Sequence, residues 1–199
     1  MDVWVWAAIA GGIWHWVIQR QQQERIRFLA GQITPLHIDK LMQELVEGHH
    51  RALGETDAAR QQQVWTLLGE KATALCGQFE RFAETFARQP AERCRVQRWP
   101  LPVPYAENWA PTFDARKLFR LHAEGLRAAL GANPHAYGKS AAFTLTAEML
   151  LMQHSCHWYC RSHTRASSRL LAQHQTPYQQ VLNHVTPSTR DAYKRLTGR

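Results

Sequence analysis

Between Gln153 and His163 the chain reads QHSCHWYCRSH, which crowds His154, Cys156, His157, Cys160 and His163 into ten positions. Thiolate and imidazole groups are donors that suit zinc, so the residue types raise the question of a metal site. A helix turns about 100° per residue, which puts Cys156, Cys160 and His163 on one face and turns His157 and His154 away from it. These three ligands need a fourth, and Cys94, Cys76 or the His49-His50 pair would have to supply it. Zinc fingers and ribbons draw two paired knuckles from separate elements, and only half a knuckle is visible here. The competing reading places Cys156 and Cys160 in the core beside Leu145, Met149 and Met152, because cysteine is among the most buried residue types. No cofactor is expected, with zinc at Cys156, Cys160 and His163 as the one candidate.

The same stretch carries a second pattern. His157, Arg161, Arg165 and Arg169 recur at steps of four, a stripe on the side of the predicted helix away from the cysteines. From His135 onward there are eight cations and two acids, a net +6 out of +8 for the whole chain, and the pI is about 9.7. A polyanion would therefore meet the C-terminal third, through Arg161, Arg165 and Arg169 and the cluster of Arg190, Lys194 and Arg195. Nucleic acid and anionic lipid both qualify, and a solvated basic surface is the plainer alternative.

Reaction machinery is harder to find. The sequence has no phosphate-cradling glycine loop, no nucleophile elbow, no His-Glu-x-x-His and no close carboxylate pair in an apolar setting. An enzyme is not the expectation.

Stepping toward the N-terminus, Val3 to Ile18 reads VWVWAAIAGGIWHWVI, with His15 its only ionisable side chain. As a helix it places Trp4, Trp6, Trp14 and Trp16 all around the axis, whereas an interfacial amphipathic helix would gather them on one side. The expectation is a transmembrane anchor with tryptophan belts at both ends, although sixteen residues rise only about 24 Å against roughly 30 Å of hydrocarbon. Only Asp2 precedes the run, and Gln19-Arg20-Gln21 follows it, which is unlike a cleavable secretion signal. Arg20, Arg25 and Arg27 come next, so the positive-inside rule predicts a single pass through the inner or plasma membrane, N-terminus outside and body in the cytosol. The four cysteines are then expected as free thiols.

The body is expected to be all-α. Helix continues to Gly31, and Thr34-Pro35 restarts it; Gly48 to Gly54 reads as a loop. From Asp57 to Arg88, Val64, Leu68, Ala72, Leu75, Phe79, Phe82 and Phe86 recur at alternating steps of four and three, a seam that packs inside the chain's own domain or against a second copy. Five prolines with Trp99, Tyr105 and Trp109 fill Gln89 to Pro111, which predicts an extended strap or linker. Helix resumes over Thr112–Leu130 and Ser140–Gln173, and Thr176-Pro177 and Thr186-Pro187 each open a short one. This divides the chain into an anchor with juxtamembrane helix (1–31), a helical region with the long amphipathic helix (32–89), the strap (90–111) and a basic helical region (112–199).

Together these features predict a membrane-anchored interaction protein, an accessory or scaffold of a membrane-associated assembly. Its partners would be lipid and proteins of that assembly, with homodimerisation through the anchor's Ala7/Gly11 and Ala8/Gly12 pairs or through the Val64–Phe86 seam. The runner-up is a membrane-tethered nucleic-acid or anionic-lipid binder, and a zinc-dependent protein comes third.

Overall fold

In the computed structural model, which describes residues 3–199, one unbroken helix of 31 residues, α1 (Val3–Ile33), opens the chain. Met1 and the acidic residue Asp2 lie outside the described residues. The two halves of α1 have different surroundings. Val3 to Trp16 are exposed on every side, whereas Gln22 and Leu29 are buried and Ile26, Phe28 and Ile33 pack on the core. Pro35 sits in a closing 3-10 turn, Thr34–Leu36, and His37 turns the chain through a left-handed conformation at φ 51°.

After it come α2 (Ile38–Gly54), α3 (Ala58–Ala87), α4 (Ala115–Leu130), α5 (Lys139–Cys160), α6 (His163–His174), α7 (Tyr178–His184) and α8 (Pro187–Thr197). Two three-residue strands, β1 (Arg95–Gln97) and β2 (Thr112–Asp114), pair antiparallel with Val96 opposite Phe113. The chain is thus mostly helical, as its periodicity predicts. Among the described residues, however, no helix is long and apolar enough to cross a membrane. The run in α1 is short, and its tryptophans, its two glycines and His15 dilute its hydropathy.

Helix α3 is the centre of the body. Asp57 caps it, its carboxylate accepting from the backbone N–H groups of Ala59 (2.8 Å) and Arg60 (3.1 Å). Leu68, Ala72, Leu75, Phe79, Phe82 and Phe86 are all buried, closed over by α2 on one side and α4 on the other. The seam therefore packs inside the chain's own fold. Phe86 meets Phe119 of α4 edge-on at 4.8 Å and Tyr159 of α5 at 5.7 Å, and Phe82 meets Phe119 at 5.0 Å. Each such pair adds about 0.5–1.5 kcal/mol beyond its buried area. One contiguous core runs from Leu29 to Tyr193.

Three local expectations are corrected. Gly48 to Gly54 is not a loop but the end of α2, because Met42, Leu45, His49 and Ala52 keep a helical burial period. Thr112 to Asp114 is strand, and helix begins only where the Asp114 carboxylate caps it by accepting from Arg116 N (2.8 Å). Ser140–Gln173 is two helices. Helix α5 stops at Cys160, Ser162 is extended, and its hydroxyl accepts from Arg165 N (3.3 Å) to start α6 on a new axis.

Residues 90–111 do form a strap, bent by 3-10 turns at Ala91–Cys94 and Ala106–Asn108. Two α5 side chains pin it: Trp158 Nε1 donates to Gln97 O (3.1 Å), and Tyr159 OH donates to Arg93 O (2.8 Å).

Candidate functional site

The break at Arg161-Ser162 separates the three proposed zinc ligands. Cys156 and Cys160 stay on the last turns of α5, while His163 opens α6, where its ring sits among His154 (5.1 Å), Trp158 (4.7 Å) and Tyr178 (5.0 Å). Burial pushes the Cys160 thiol up to about 12 and the Cys156 thiol further still, the latter also under the influence of Cys160 and Asp39. Both are protonated near neutral pH, the poorly ligating form. Among the described residues, no group of three or more His, Cys, Asp or Glu side chains is placed to hold a metal ion. The proposed fourth ligands are engaged elsewhere. His49 Nε2 is 2.8 Å from Tyr137 OH and its Nδ1 is 3.2 Å from Thr146 Oγ1, and Cys76 and Cys94 are buried. All four cysteines are free thiols.

What Cys156 and Cys160 line instead is a groove of about 790 Å³ between the second half of α1, the start of α2, and α5 and α6. Its apolar side comes from Ile26, Leu29, Ile33, Met42 and Met152, and its polar side from Arg161, Arg169, His157 and His174. Burial, then Arg169 and Arg161, hold His157 down to about 4; burial and Arg169 lower His174. Near neutral pH the positive charge of this groove therefore belongs to the two arginines, with Asp39 on the opposite wall. The shape suits a molecule with an apolar body and an anionic end.

The cationic stripe is divided. Arg165 and Arg169 remain one turn apart and exposed on α6, but Arg161 lies in the break between helices. Arg190, Lys194 and Arg195 belong to α8, which packs on α4, whereas α6 packs on α5 and α7. Arg190 also lies 3.8 Å from Asp191. The six cations thus lie on two helices and in the break before one of them.

The largest unpartnered feature is the N-terminal half of α1. Trp4 is 83% exposed, and Trp6, Trp14 and Trp16, together with Ile9 and Ile13, are all about half exposed or more. No other element of the described chain covers them. Contiguous apolar patches larger than a few hundred Å² are rare on monomeric proteins. At its lower end the Arg20 guanidinium lies over the Trp16 ring at 5.5 Å. A smaller apolar hollow of about 640 Å³ opens between α2 and α5, where Val46, Leu53 and Phe143 are exposed.

Sequence reasoning missed a buried polar line along the α4–α5–α8 interface. His122 Nε2 lies 2.7 Å from Ser155 Oγ, and Ser155 Oγ donates to Tyr193 OH at 3.5 Å. Glu148 Oε1 accepts from Thr186 N (2.9 Å) and Thr186 Oγ1 (3.0 Å), while Oε2 has no partner. Burial raises the Glu148 carboxyl and lowers His122 to about 3. A His–Ser pair at this distance resembles a base and nucleophile, but both residues are fully buried and line none of the grooves above. The pair and the Tyr193 hydroxyl join side chains of α4, α5 and α8. The only sequence signal was a lone polar residue at helical spacing in each apolar face, which names no partner. Comparison with known proteins finds no match, whether to a protein-family model, a curated protein or a solved structure.

Proposed function

We propose that this protein is a membrane-anchored accessory protein. The first half of α1 is buried in the inner or plasma membrane, and the helical body, on the cytosolic side, binds proteins of a membrane-associated assembly. The observation that carries the reading is the exposure of Val3 to Trp16 on all faces of a helix whose second half is firmly packed. Left in water, a fully exposed side chain of this size forgoes about 1.5–3 kcal/mol of burial and a half-exposed one roughly half of that, and a bilayer is the apolar phase that accepts them without a dedicated protein groove. The run rises about 24 Å, so insertion to the far headgroups requires local thinning of the bilayer, with Trp4 and Trp6 at one interface and Trp14 and Trp16 at the other. Arg20 and Arg27, both exposed, flank the body side and favour an N-out, C-in orientation. The Val46, Leu53 and Phe143 hollow supports a binding role for the body.

Fractionation of cells expressing the full chain tests this. The protein is expected in membranes after washing with high salt and with alkaline carbonate, and cross-linking in those membranes is expected to capture specific proteins. Recovery in the soluble fraction without detergent would overturn the anchor.

A second reading, binding of nucleic acid or anionic lipid headgroups, is favoured by the exposed pairs Arg165 with Arg169 and Lys194 with Arg195. It predicts binding that weakens steeply from low to moderate salt. A flat salt profile removes it.

A further inference from the structure

We propose that the strap between β1 and β2 is a second membrane contact, an aromatic foot that rests in the headgroup layer beside the point where α1 enters the bilayer. The proposal rests on membrane insertion of α1 and adds a surface that the anchor alone does not require.

The strap is fastened to α1 immediately below the apolar run. Tyr105 N donates to Gln21 Oε1 (3.2 Å), Gln21 Nε2 donates to Glu107 Oε1, and the Arg25 guanidinium pairs with Glu107 at 3.2 Å. Pro102 and Val103 border the same small hollow as Ile18 and Gln21. Gln21 lies three residues beyond Ile18, about 4.5 Å along the helix, and each headgroup layer is about 5–7 Å thick. With Ile18 at the hydrocarbon boundary, the fastened part of the strap falls inside that layer.

Its exposed side chains suit that depth. Leu101 is 62% exposed, Tyr105 54%, Trp109 61% and Trp99 39%, in a body whose other large aromatics are mostly buried. Trp99 and Trp109 contact each other edge-on at 5.0 Å, so they form one patch. Tryptophan and tyrosine carry an apolar ring and a polar tip, and they concentrate where hydrocarbon meets headgroups. The neighbouring charges are mixed. Arg93 and Arg95 are exposed just before the strap, beside the exposed Glu92 and the α1 residue Glu24, and Arg199 donates to Arg98 O at 2.9 Å at its side. The strap is held rather than loose: Thr164 N donates to Pro100 O (3.1 Å), and Arg98 donates to Leu196 O (3.1 Å). A preformed surface of this kind meets the bilayer without the entropy cost of ordering a loop.

The test uses the full chain with Trp4, Trp6, Trp14 and Trp16 changed to Phe, which leaves Trp99 and Trp109 with the buried Trp65 and Trp158 as fluorophores. The protein is reconstituted in vesicles of phosphatidylglycerol and phosphatidylcholine, the latter carrying bromine near the top of its acyl chains. Quenching is expected, and it is expected to vanish when Trp99 and Trp109 are also changed to Phe. Vesicle-bound protein whose fluorescence ignores the bromine, or whose quenching persists in that second variant, overturns the aromatic foot while leaving the anchor intact. Failure of the unmodified chain to float with the vesicles overturns the anchor itself, and the foot with it.

Discussion

Arg25 and Glu107 meet at 3.2 Å with both side chains largely sheltered, and this pair joins the first helix to the strap. The same guanidinium donates to Tyr159 O (3.0 Å) and Arg95 O (3.1 Å) and lies over the Tyr159 ring at 5.3 Å. One side chain thus ties α1, β1, the strap and α5 together. By sequence Arg25 counted as one of three free cations flanking the apolar run, but in the fold it is an internal clasp, so Arg20 and Arg27 are left to bias the orientation.

Breaking the clasp should loosen the strap. Glu107→Gln keeps the shape but removes the charge, and Arg25→Met removes the donors while keeping an apolar stem. Each is expected to cost about 1–3 kcal/mol, the range for losing a charge-assisted hydrogen bond at a partly buried site. The double variant should cost less than the sum of the two. Urea unfolding in mild detergent measures the energies, and limited proteolysis should show new cleavage between Pro100 and Pro111. Strict additivity would mean that the two groups do not interact in solution.

The body should be acid-sensitive above the range in which carboxylates titrate. Burial holds His122 down to about 3 and His49 and His163 down to about 4, with His50 and Arg199 respectively adding to the last two; His154 is lowered strongly by burial and by His163. An unfolded histidine takes up its proton near pH 6.5, so below that value the unfolded chain binds more protons and stability falls as pH falls. Glu148 works in the opposite direction: its raised carboxyl favours the fold while protonated, an advantage lost as pH rises through its folded value. With His157 and His174 lowered in the same direction, six histidines outweigh one carboxyl, so the urea midpoint should drop between pH 7 and pH 5. His122→Gln should flatten that slope by up to about 1.4 kcal/mol per pH unit, the limit for one proton. An unchanged slope would show that His122 titrates normally.

Gly125 on α4 separates two opposing effects of a methyl group. Alanine is favoured over glycine in a helix by about 1 kcal/mol, which argues that Gly125→Ala stabilises. A Cβ there, however, would stand 2.5 Å from Thr189 Oγ1 and 2.6 Å from Glu148 Oε2. Neither atom is free to retreat, since Glu148 is held by Thr186, and the Thr186 hydroxyl, its proton directed at Glu148, accepts from Thr189 Oγ1 at 2.9 Å. Overpacking of this kind costs about 1–3 kcal/mol, so the net expectation is destabilisation with α8 loosened first. Hydrogen exchange should show faster exchange in Pro187–Thr197 than elsewhere in the body. A more stable variant would mean that α8 shifts at little cost.

Local periodicity explains why some of this fold was legible in the sequence. Leu68 to Phe86 repeats with the helical period, and it is the core seam; Thr186-Pro187 combines a capping hydroxyl with a proline at the first helical position, and α8 starts there. The break after Cys160 was hidden because burial resumes in near register at Ala166 and Leu170, with no glycine or proline between, leaving Ser162 as the sole mark. The groove, the clasp and the His122–Ser155 contact join residues remote in sequence, and no pattern along the chain encodes such meetings. The zinc and cationic-stripe expectations shared one assumption, that a single helix axis carries residues 156–169, whereas α5 ends at Cys160 and α6 starts at His163.

The exposed half of α1 allows anchoring to be separated from folding. Ile9 and Ile13 lie one turn apart near the middle of the apolar run, about half exposed, and neither packs against the core. Ile9→Arg with Ile13→Arg should therefore leave the thermal stability of the body unchanged in detergent, since no contact within it is lost. In a bilayer each arginine near the centre of an inserted helix costs about 2.5–3.5 kcal/mol, so the pair should shift the balance between membrane and water by several powers of ten. The measurement is the fraction of protein that floats with phosphatidylglycerol-containing vesicles in a density gradient. Loss of flotation with an unchanged melting midpoint is the expected result. If the variant floats as well as the parent chain, the tryptophans are not in lipid, and their exposure must be satisfied by a protein partner instead. If the midpoint falls as well, the apolar half of α1 packs on its own body in solution, and both the anchor and the aromatic foot lose their basis.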